Sequence, residues 1–360
     1  MTTTPKAAAF MVPGDLATPT GGYTYDRRII RGLQALGWDI EICDIGDSFP
    51  RPPLEVRAAA RRAIAALAGE RPIVIDGLAF GVLAAEAQAL AGQCRLVALV
   101  HHPLALETGL NAAEAAVFAA GERAALDCAR HVIVTSPATA RLLALDYAVV
   151  PERLSIVRPG IDRVAVQRRS CPTMINLLAV GSVVPRKGYD VLVKALAELH
   201  DLSWHLTIAG DRTRSIETAQ ALDSDIARLG LRSRITFTGA VAPERLALLY
   251  AAADLFVLPS RFEGYGMAYA EAIAHGVPVI GTRAGAVPDT VPAGAGVLIA
   301  PDDAAALSAV LRELIGDAAR RGRLAAGARE AAKAYPSWED SAKSFARVLE
   351  QVSAGKGARS

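Results

Sequence analysis

The sequence has few cysteines, no long uncharged apolar stretch and no marked excess of either charge. Its four cysteines, Cys43, Cys94, Cys128 and Cys171, form no Cys-x-x-Cys pair, which argues against a zinc site or a disulfide framework and fits a reducing cytoplasm. Nowhere do about 18 uncharged apolar residues follow one another, so we expect no helix that spans a bilayer. Lys and Arg number 39 against 37 for Asp and Glu, which provides no basic stripe for nucleic acid.

A secretory leader is also not expected. Only one lysine precedes the apolar run at 7–12, and that run stops at Pro13-Gly14, too early for the charged and apolar regions of a signal peptide. The run is instead typical of a first buried strand. We expect a cytoplasmic protein and leave open a peripheral contact with the inner face of a membrane, for which the sequence shows no clear basic amphipathic helix.

Apolar residues make up 52% of the 360 positions, which at this length favours two domains, each with its own core. Short apolar runs alternate with longer helical stretches rich in alanine, leucine and arginine, the pattern of parallel sheets covered on both faces. The fold class predicted is therefore α/β with two Rossmann-like domains. The predicted strands are 7–12, 39–44, 72–76, 95–100, 131–135, 154–157, 175–180, 205–209, 235–238, 255–258, 278–281 and 297–299. Helices predicted between them include 23–36, 54–68 and 112–129.

The boundary between the two domains is predicted between Pro159-Gly160 and Pro172, where polar and charged residues interrupt the hydrophobic pattern as an exposed linker would. These residues are Arg163, Arg168, Arg169 and Ser170. The domains are predicted at 1–165 and 170–335. Ser337 is predicted to be the N-cap of a last helix, 338–352, and 354–360 to be a disordered tail.

One segment of the second half sets two carboxylates, Glu263 and Glu271, eight positions apart around a glycine-rich turn that opens a helix. Such a turn presents unpaired backbone N–H groups and the positive end of the helix dipole, which suit a phosphate or pyrophosphate. If the helix begins near Gly266, both carboxylates can line one cleft about 12 Å long. Carboxylates suit hydroxyl groups, and a nucleotide sugar carries hydroxyls at both ends of a diphosphate.

Arg186 and Lys187 follow a predicted strand and a glycine turn, where side-chain cations could hold a phosphate. No Asp-x-Asp follows a predicted strand; the one at 223–225 lies in a helical stretch. This pattern favours side-chain cations, rather than a divalent metal ion, as the groups that stabilise the charge of a departing diphosphate. Two isolated basic residues are more often a solvated loop pair, but Gly188 and the Glu-x7-Glu segment favour phosphate binding.

The segment from Ser260 to Glu271 resembles the signature of the retaining nucleotide-sugar glycosyltransferases called family 4, or glycosyl transferases group 1, which have the GT-B fold. The resemblance covers about the last 200 residues strongly and the first 160 through sparse motifs in the same order. Further stretches that resemble the family are a phosphate-binding loop at 181–190, an interdomain segment at 157–162, the strand before Glu263 at 253–260, and a glycine-proline-acid turn at 285–289. Ser182 is a departure, because the family often has an arginine there.

The resemblance implies an N-terminal acceptor-binding domain and a C-terminal donor-binding domain that face each other across a cleft, with the helix at 336–353 crossing back to the first domain. It implies that Glu263 contacts hydroxyls of the donor sugar, that Glu271 contacts the ribose, and that Arg186 and Lys187 contact the diphosphate. Backbone amides that would hold the sugar or the diphosphate are those of Gly264, Tyr265, Gly266 and Met267.

The candidate residues of the first half are Gly22 and His101. Paired glycines at 21–22 stand in a predicted loop before the first helix and permit close approach of a ligand. The histidine pair ends the fourth predicted strand, where open α/β sheets place ligand contacts. The resemblance implies that the loop faces the reaction centre and that a histidine at this strand end touches the transferred sugar; His101 aligns better than His102. Glu107 is a weaker candidate for the acceptor.

The function that the resemblance implies is metal-independent transfer of a hexose or related sugar, with retention, from a UDP- or GDP-sugar to an acceptor hydroxyl. The acceptor is a glycan, a lipid-linked molecule or a small molecule, and no cofactor is expected. In a front-face route the leaving diphosphate itself helps to accept the acceptor's proton, so no enzymatic nucleophile is needed. A nucleotide-sugar epimerase, a phosphorylase and a non-catalytic nucleotide-sugar sensor stay open as alternatives on the same scaffold.

Overall fold

The computed structural model describes residues 6–69, 71–107, 109–163 and 174–355. The described chain divides into two compact units: unit 1 holds the residues up to Gly160 and those from Pro336 onward, and unit 2 holds those from Ile161 to Tyr335. The predicted linker residues Arg168, Arg169 and Ser170, and the predicted tail from 356 onward, lie outside the described residues.

Unit 1 is built on a six-stranded parallel sheet with helices between its strands. The strands are β1 (Ala7–Val12), β2 (Asp39–Asp44), β3 (Pro72–Asp76), β4 (Arg95–Val100), β5 (His131–Val134) and β6 (Leu154–Ile156), in the order β2-β1-β3-β4-β5-β6. The helices are α1 (Gly21–Ala35), α2 (Leu54–Ala66), α3 (Gly77–Phe80), α4 (Ala84–Leu90), α5 (Ala112–Cys128) and α6 (Pro137–Asp146). The central strands are almost wholly buried, as expected for a sheet covered on both faces.

Unit 2 repeats this architecture with its own six-stranded parallel sheet and its own core. Its strands are β7 (Ile175–Val180), β8 (Trp204–Ala209), β9 (Ile235–Gly239), β10 (Leu255–Val257), β11 (Val279–Thr282) and β12 (Gly296–Ile299), in the order β12-β11-β10-β7-β8-β9. Its helices are α7 (Tyr189–Ala197), α8 (Ile216–Arg228), α9 (Pro243–Ala252), α10 (Met267–Ala274), α11 (Val287–Thr290), α12 (Ala304–Gly316) and α13 (Ala318–Ala332). Because β10 lies beside β7, the loops that follow these two strands leave the same edge of the sheet side by side.

These two sheets confirm the predicted α/β fold of two Rossmann-like domains, and every predicted strand agrees with the structure within one residue at either end. The loop predicted at 21–22 is wrong, because α1 already begins at Gly21. Thr20 caps the helix by accepting a hydrogen bond from the Tyr23 amide at 3.2 Å. The predicted turn at 285–289 contains the start of the short helix α11. Among the described helices, none has both the length and the apolar character needed to cross a bilayer.

The last helix, α14 (Trp338–Ser353), belongs to unit 1 and packs against α1. Ser337 is its N-cap, as predicted: the Ser337 hydroxyl accepts from the Asp340 amide at 3.1 Å, and the Asp340 carboxylate accepts from the Ser337 amide at 3.0 Å. The Ser341 hydroxyl then donates to the Arg158 carbonyl at 2.7 Å. The chain that leaves unit 2 thus completes the first unit.

The contact between α1 and α14 is too close for a side chain at Gly32, where a Cβ atom would lie 2.4 Å from the Cβ of Ala342. We expect Gly32→Ala to destabilise unit 1 by about 1–3 kcal/mol, because the two helices must move apart. Thermal unfolding and hydrogen exchange of the α14 amides measure this loss. The matched control is Gly322→Ala in α13, where a Cβ atom would meet nothing within 4 Å. Gly322→Ala should be neutral or should stabilise the protein by up to about 1 kcal/mol. If Gly32→Ala and Gly322→Ala change the stability equally, the two helices are not crowded at Gly32.

Candidate functional site

The loop after β7 is held against the loop after β10. Gly188 has a left-handed backbone with φ of 68°, and a Cβ atom there would lie 2.1 Å from the Pro259 carbonyl oxygen, so only glycine allows this approach. Arg186 ties the two loops together: its guanidinium donates to the Phe262 carbonyl at 2.9 Å, and its own carbonyl accepts from the Arg261 amide at 2.8 Å. The predicted phosphate-binding loop and the loop of the first glutamate are therefore one local structure.

At this junction the carboxylate of Glu263 is surrounded by cations. Lys187 Nζ lies 2.6 Å from Oε1 and Arg186 Nη1 lies 3.3 Å from Oε2. The Ser260 hydroxyl also donates to Oε1 at 2.7 Å. The side chains of Glu263, Lys187 and Arg186 are only 7%, 14% and 17% exposed, so these charges are largely withdrawn from water. Burial alone would raise the pKa of Glu263, but the charges of Lys187 and Arg186 outweigh it and lower this pKa to about 2.

Gly266 ends this second loop and starts α10. It is the N-cap of the helix in a left-handed conformation with φ of 90°, and the predicted amides at 264–267 lie at this helix start. Gly264, Tyr265 and Gly266 are buried and Met267 is half-buried. The first turn of an α-helix leaves backbone N–H groups without helical partners, so the chain here can donate hydrogen bonds to an anion.

Glu271 lies in the second turn of α10, as predicted, and contacts a residue that the sequence motifs did not identify. The hydroxyl of the buried Tyr250, on α9, donates to Glu271 Oε2 at 2.8 Å and contacts the Ala268 carbonyl at 3.2 Å. The Tyr250 ring stacks on His275, with 5.0 Å between the ring centroids. Burial, and after it the charge of Glu271, raises the pKa of Tyr250 well above its usual value, so the phenol keeps its proton as a donor.

In unit 1 the His101 ring lies at the carboxyl end of β4 between two buried carboxylates. Its Nε2 atom is 3.2 Å from Oδ1 of Asp26 on α1 and 3.5 Å from Oδ2 of Asp76 at the end of β3. Gly22 lies against the same ring, since a Cβ atom there would be 3.3 Å from His101 Cδ2. The structure thus brings together Gly22 and His101, two of the predicted site residues. His102 instead contacts Glu107 through its Nε2 atom.

Across the described ranges, one grouping of three side chains has potential metal-binding atoms within 4.8 Å of one another, and it is this one: Asp26, Asp76 and His101. The imidazole nitrogen lies at hydrogen-bonding or ion-pairing distance from both carboxylates. We therefore interpret the grouping as an ion-pair cluster. The sequence motifs did not point to either aspartate, although Asp26 is a charged residue within the buried stripe of α1 that contains Tyr25, Ile29 and Ile30.

The cluster around Glu263 makes the stability of unit 2 depend on pH. We expect Lys187→Met to destabilise unit 2 at pH 7 by about 3 kcal/mol, because it removes one partner of a buried charge while Arg186 and Ser260 remain. The ion pair stabilises wild type above the ordinary pKa of 4.5, and this stabilisation is lost as pH falls toward about 2. The difference between variant and wild type should therefore shrink on acidification below about pH 4.5.

Hydrogen exchange of amides in unit 2, followed at pH 7 and pH 3.5, measures this difference. The control is Lys194→Met, which changes an exposed lysine of α7. If Lys187→Met lowers the stability of unit 2 by the same amount at both pH values, the lysine contributes by packing rather than by charge.

Two family models match the chain, one in each half. The Glycosyltransferase Family 4 model matches residues 19–164, and the model of Glycosyl transferases group 1 matches residues 175–317.

Curated relatives agree with these matches. The chain is 29% identical over 322 residues to MMP alpha-(1->4)-mannosyltransferase of Mycolicibacterium hassiacum, covering 84% of this chain and 76% of that protein. It is 32% identical over 260 residues to D-inositol 3-phosphate glycosyltransferase 1 of Catenulispora acidiphila, covering 66% of this chain. That alignment spans 61% of the relative, which is less than two thirds of its length.

Solved structures share the fold over nearly the whole chain. Sucrose-phosphate synthase from Thermosynechococcus elongatus superposes with a TM-score of 0.83 at 23% identity, covering 97% of this chain and all of that one. The Anabaena protein HepE, in complex with UDP and glucose, superposes with a TM-score of 0.75 at 19% identity, covering 96% of this chain and all of that one. With a GT-B fold and a family match in each half, the chain belongs to the family 4, or group 1, glycosyltransferases.

Proposed function

We propose that the protein transfers a hexose or a related sugar, with retention of configuration and without a metal ion, from a UDP- or GDP-sugar to an acceptor hydroxyl. The observation that carries the proposal is the buried cluster of Lys187, Arg186 and Glu263 next to the start of α10. We propose further that unit 2 binds the donor and unit 1 the acceptor.

The cluster suits a departing diphosphate because it supplies positive charge in a place with little water. Two cations face one carboxylate, so the three groups together carry one net positive charge. Cations fixed in this way stabilise charge that develops on a leaving group without having to reorganise during the reaction. The amides at 264–267 add donors at the positive end of α10. These groups fill the role that a divalent metal would otherwise serve.

The remaining site residues have roles at the two ends of the diphosphate. On the nucleotide side, Glu271 accepts hydrogen bonds from the ribose, with Tyr250 holding its Oε2 atom. On the sugar side, Glu263 accepts from hydroxyls of the transferred sugar. In unit 1, His101 and Gly22 contact a bound sugar, and the glycine leaves room beside the histidine ring.

The names of similar proteins support this proposal and suggest which substrates to test. HepE was solved with UDP and glucose, which favours a UDP-sugar for the first donors to test. Relatives named for MMP and for D-inositol 3-phosphate favour small acceptors with hydroxyl groups. Glycan and lipid-linked acceptors stay in the proposal. A lipid-linked acceptor would place the reaction at the inner face of a membrane, whereas the other acceptor classes fit the cytoplasm.

A panel of UDP- and GDP-sugars tests the function. We expect one donor to release nucleoside diphosphate in an acceptor-dependent reaction that continues in the presence of EDTA. The new glycosidic bond should keep the anomeric configuration of the donor, as read by NMR of the product. An epimerised donor sugar without acceptor, or binding without turnover across the panel, would contradict the proposal. If EDTA abolishes turnover and added magnesium restores it, the reaction depends on a metal ion and that part of the proposal is wrong.

Lys187→Ala should lower kcat by about 100-fold or more with the active donor, because one fixed cation near the leaving group is lost. The matched control is Lys194→Ala, which removes an exposed lysine of α7 and should leave kcat unchanged. Steady-state kinetics with both variants measure the effect. Near-normal turnover by a folded Lys187→Ala protein would remove this lysine from the mechanism.

Tyr250→Phe should raise the KM for the donor about tenfold with little change in kcat, because the hydrogen bond that orients Glu271 is lost while the reacting atoms are untouched. A double-mutant cycle with Glu271→Ala provides the control, since the tyrosine hydroxyl should matter little once its carboxylate partner is gone. If the two effects on KM are additive, Tyr250 does not act through Glu271.

A further inference from the structure

Unit 1 contains a second buried cluster of charges, and its charge balance is opposite to that of the cluster in unit 2. The side chains of Asp26 and Asp76 are 1% and 5% exposed, while His101 between them is 18% exposed. Two carboxylates in so little water require a positive partner, because an unpaired buried charge is strongly destabilising. The His101 ring is the group that contacts both of them.

The surroundings of His101 favour its charged form. Burial alone would lower the pKa of His101, but the charges and hydrogen bonds of Asp26 and Asp76 outweigh burial and raise it to about 10. Burial raises the pKa of Asp26 to about 6, an effect that His101 opposes and Asp76 reinforces. The other titratable ring packed against His101 is Tyr25, whose hydroxyl donates to the Val157 carbonyl at 2.9 Å. Burial, followed by the charge of Asp26, raises the pKa of Tyr25, so it stays neutral.

Four neighbouring residues fix the direction of the ring. Both carboxylates lie at Nε2, and Asp76 is itself held by accepting from the Leu78 amide at 2.7 Å as the N-cap of α3. The edge of Tyr25 meets the ring with 5.4 Å between centroids, and Gly22 lies along the Cδ2 side. With Nε2 directed to the aspartates, Nδ1 is the nitrogen that remains to face a ligand.

We propose that Asp26 and Asp76 are positioning residues that keep His101 a fixed imidazolium, which donates a hydrogen bond from Nδ1 to an oxygen atom of a sugar ligand. Such a ring cannot act as the general base for the acceptor, because both of its nitrogens already carry a proton. The inference rests on the proposed function for the identity of the ligand. The protonation state of the ring can be measured without any substrate.

NMR of the histidine rings between pH 5.5 and 9 tests the protonation state. The signals of His101 are assigned by their loss in His101→Gln. In wild type they should stay in the imidazolium form over this range, and in Asp26→Asn the ring should titrate within it. The control is Asp39→Asn, which removes an exposed carboxylate at the start of β2 and should change nothing. A wild-type His101 that titrates near pH 6.5, or an Asp26→Asn protein whose His101 stays charged throughout, would overturn the proposal.

The pH dependence of kcat distinguishes positioning from a merely structural role. For Asp26→Asn, kcat should approach the wild-type value at pH 6 and fall about tenfold per pH unit above the new pKa of His101. A loss of equal size at every pH would mean that Asp26 only supports the fold. Asp76→Asn provides a second variant if Asp26→Asn does not fold, because asparagine preserves the helix cap at this position.

A metal ion bound by the same three side chains would require His101 to be neutral, because a metal-ligating nitrogen carries no proton. The NMR titration detects such a neutral, metal-bound ring. If the wild-type His101 signals shift on addition of zinc or magnesium and return with EDTA, the three side chains form a metal site. That result would overturn the proposal that His101 is an imidazolium. If no donor in the panel is turned over, the proposed function fails, while the NMR titration still decides whether the two aspartates hold the ring charged.

Discussion

A buried carboxylate that needs cations beside it holds two loops of unit 2 together. Glu263 and Lys187 are 76 residues apart in the sequence, yet their side chains meet at 2.6 Å. The meeting depends on the order of the sheet, which puts β10 next to β7, and on Gly188, which lets its loop reach the Pro259 carbonyl. Once the loops are in contact, the buried carboxylate is stable only with its cations at ion-pairing distance, so separating the loops would leave a buried charge unpaired.

The two units stabilise their buried charges with opposite arrangements of cations and carboxylates. In unit 2 two cations surround Glu263, whereas in unit 1 Asp26 and Asp76 surround one imidazole. Surplus positive charge favours an anion beside the cluster, whereas surplus negative charge favours the protonated form of the single cation within it. The ionisable residues of each cluster thus set the charge that it presents to a ligand, before any ligand is bound.

Sequence patterns could predict the strands, the cap at Ser337 and the place of Glu271 on its helix, because these depend on local periodicity and capping. The pairing of Lys187 with Glu263 could not be read in this way, since it depends on which strands are neighbours. Tyr250 lies on another helix and contacts Glu271 only through the fold. Asp26 had a local signal, a charge within an apolar stripe, but identifying its partners required the topology.

The same geometry separates the roles of the two cations. Arg186 bridges the Phe262 carbonyl and Glu263, so moving its guanidinium would break a contact between loops as well as an ion pair. The stem of Lys187 runs along Gly181, where a Cβ atom would lie 3.0 Å from the lysine Cε. Gly181 therefore makes room for the lysine side chain. The compact ammonium of Lys187 pairs with Glu263 at a single point, while the planar fork of Arg186 holds the carboxylate and the loop carbonyl at once.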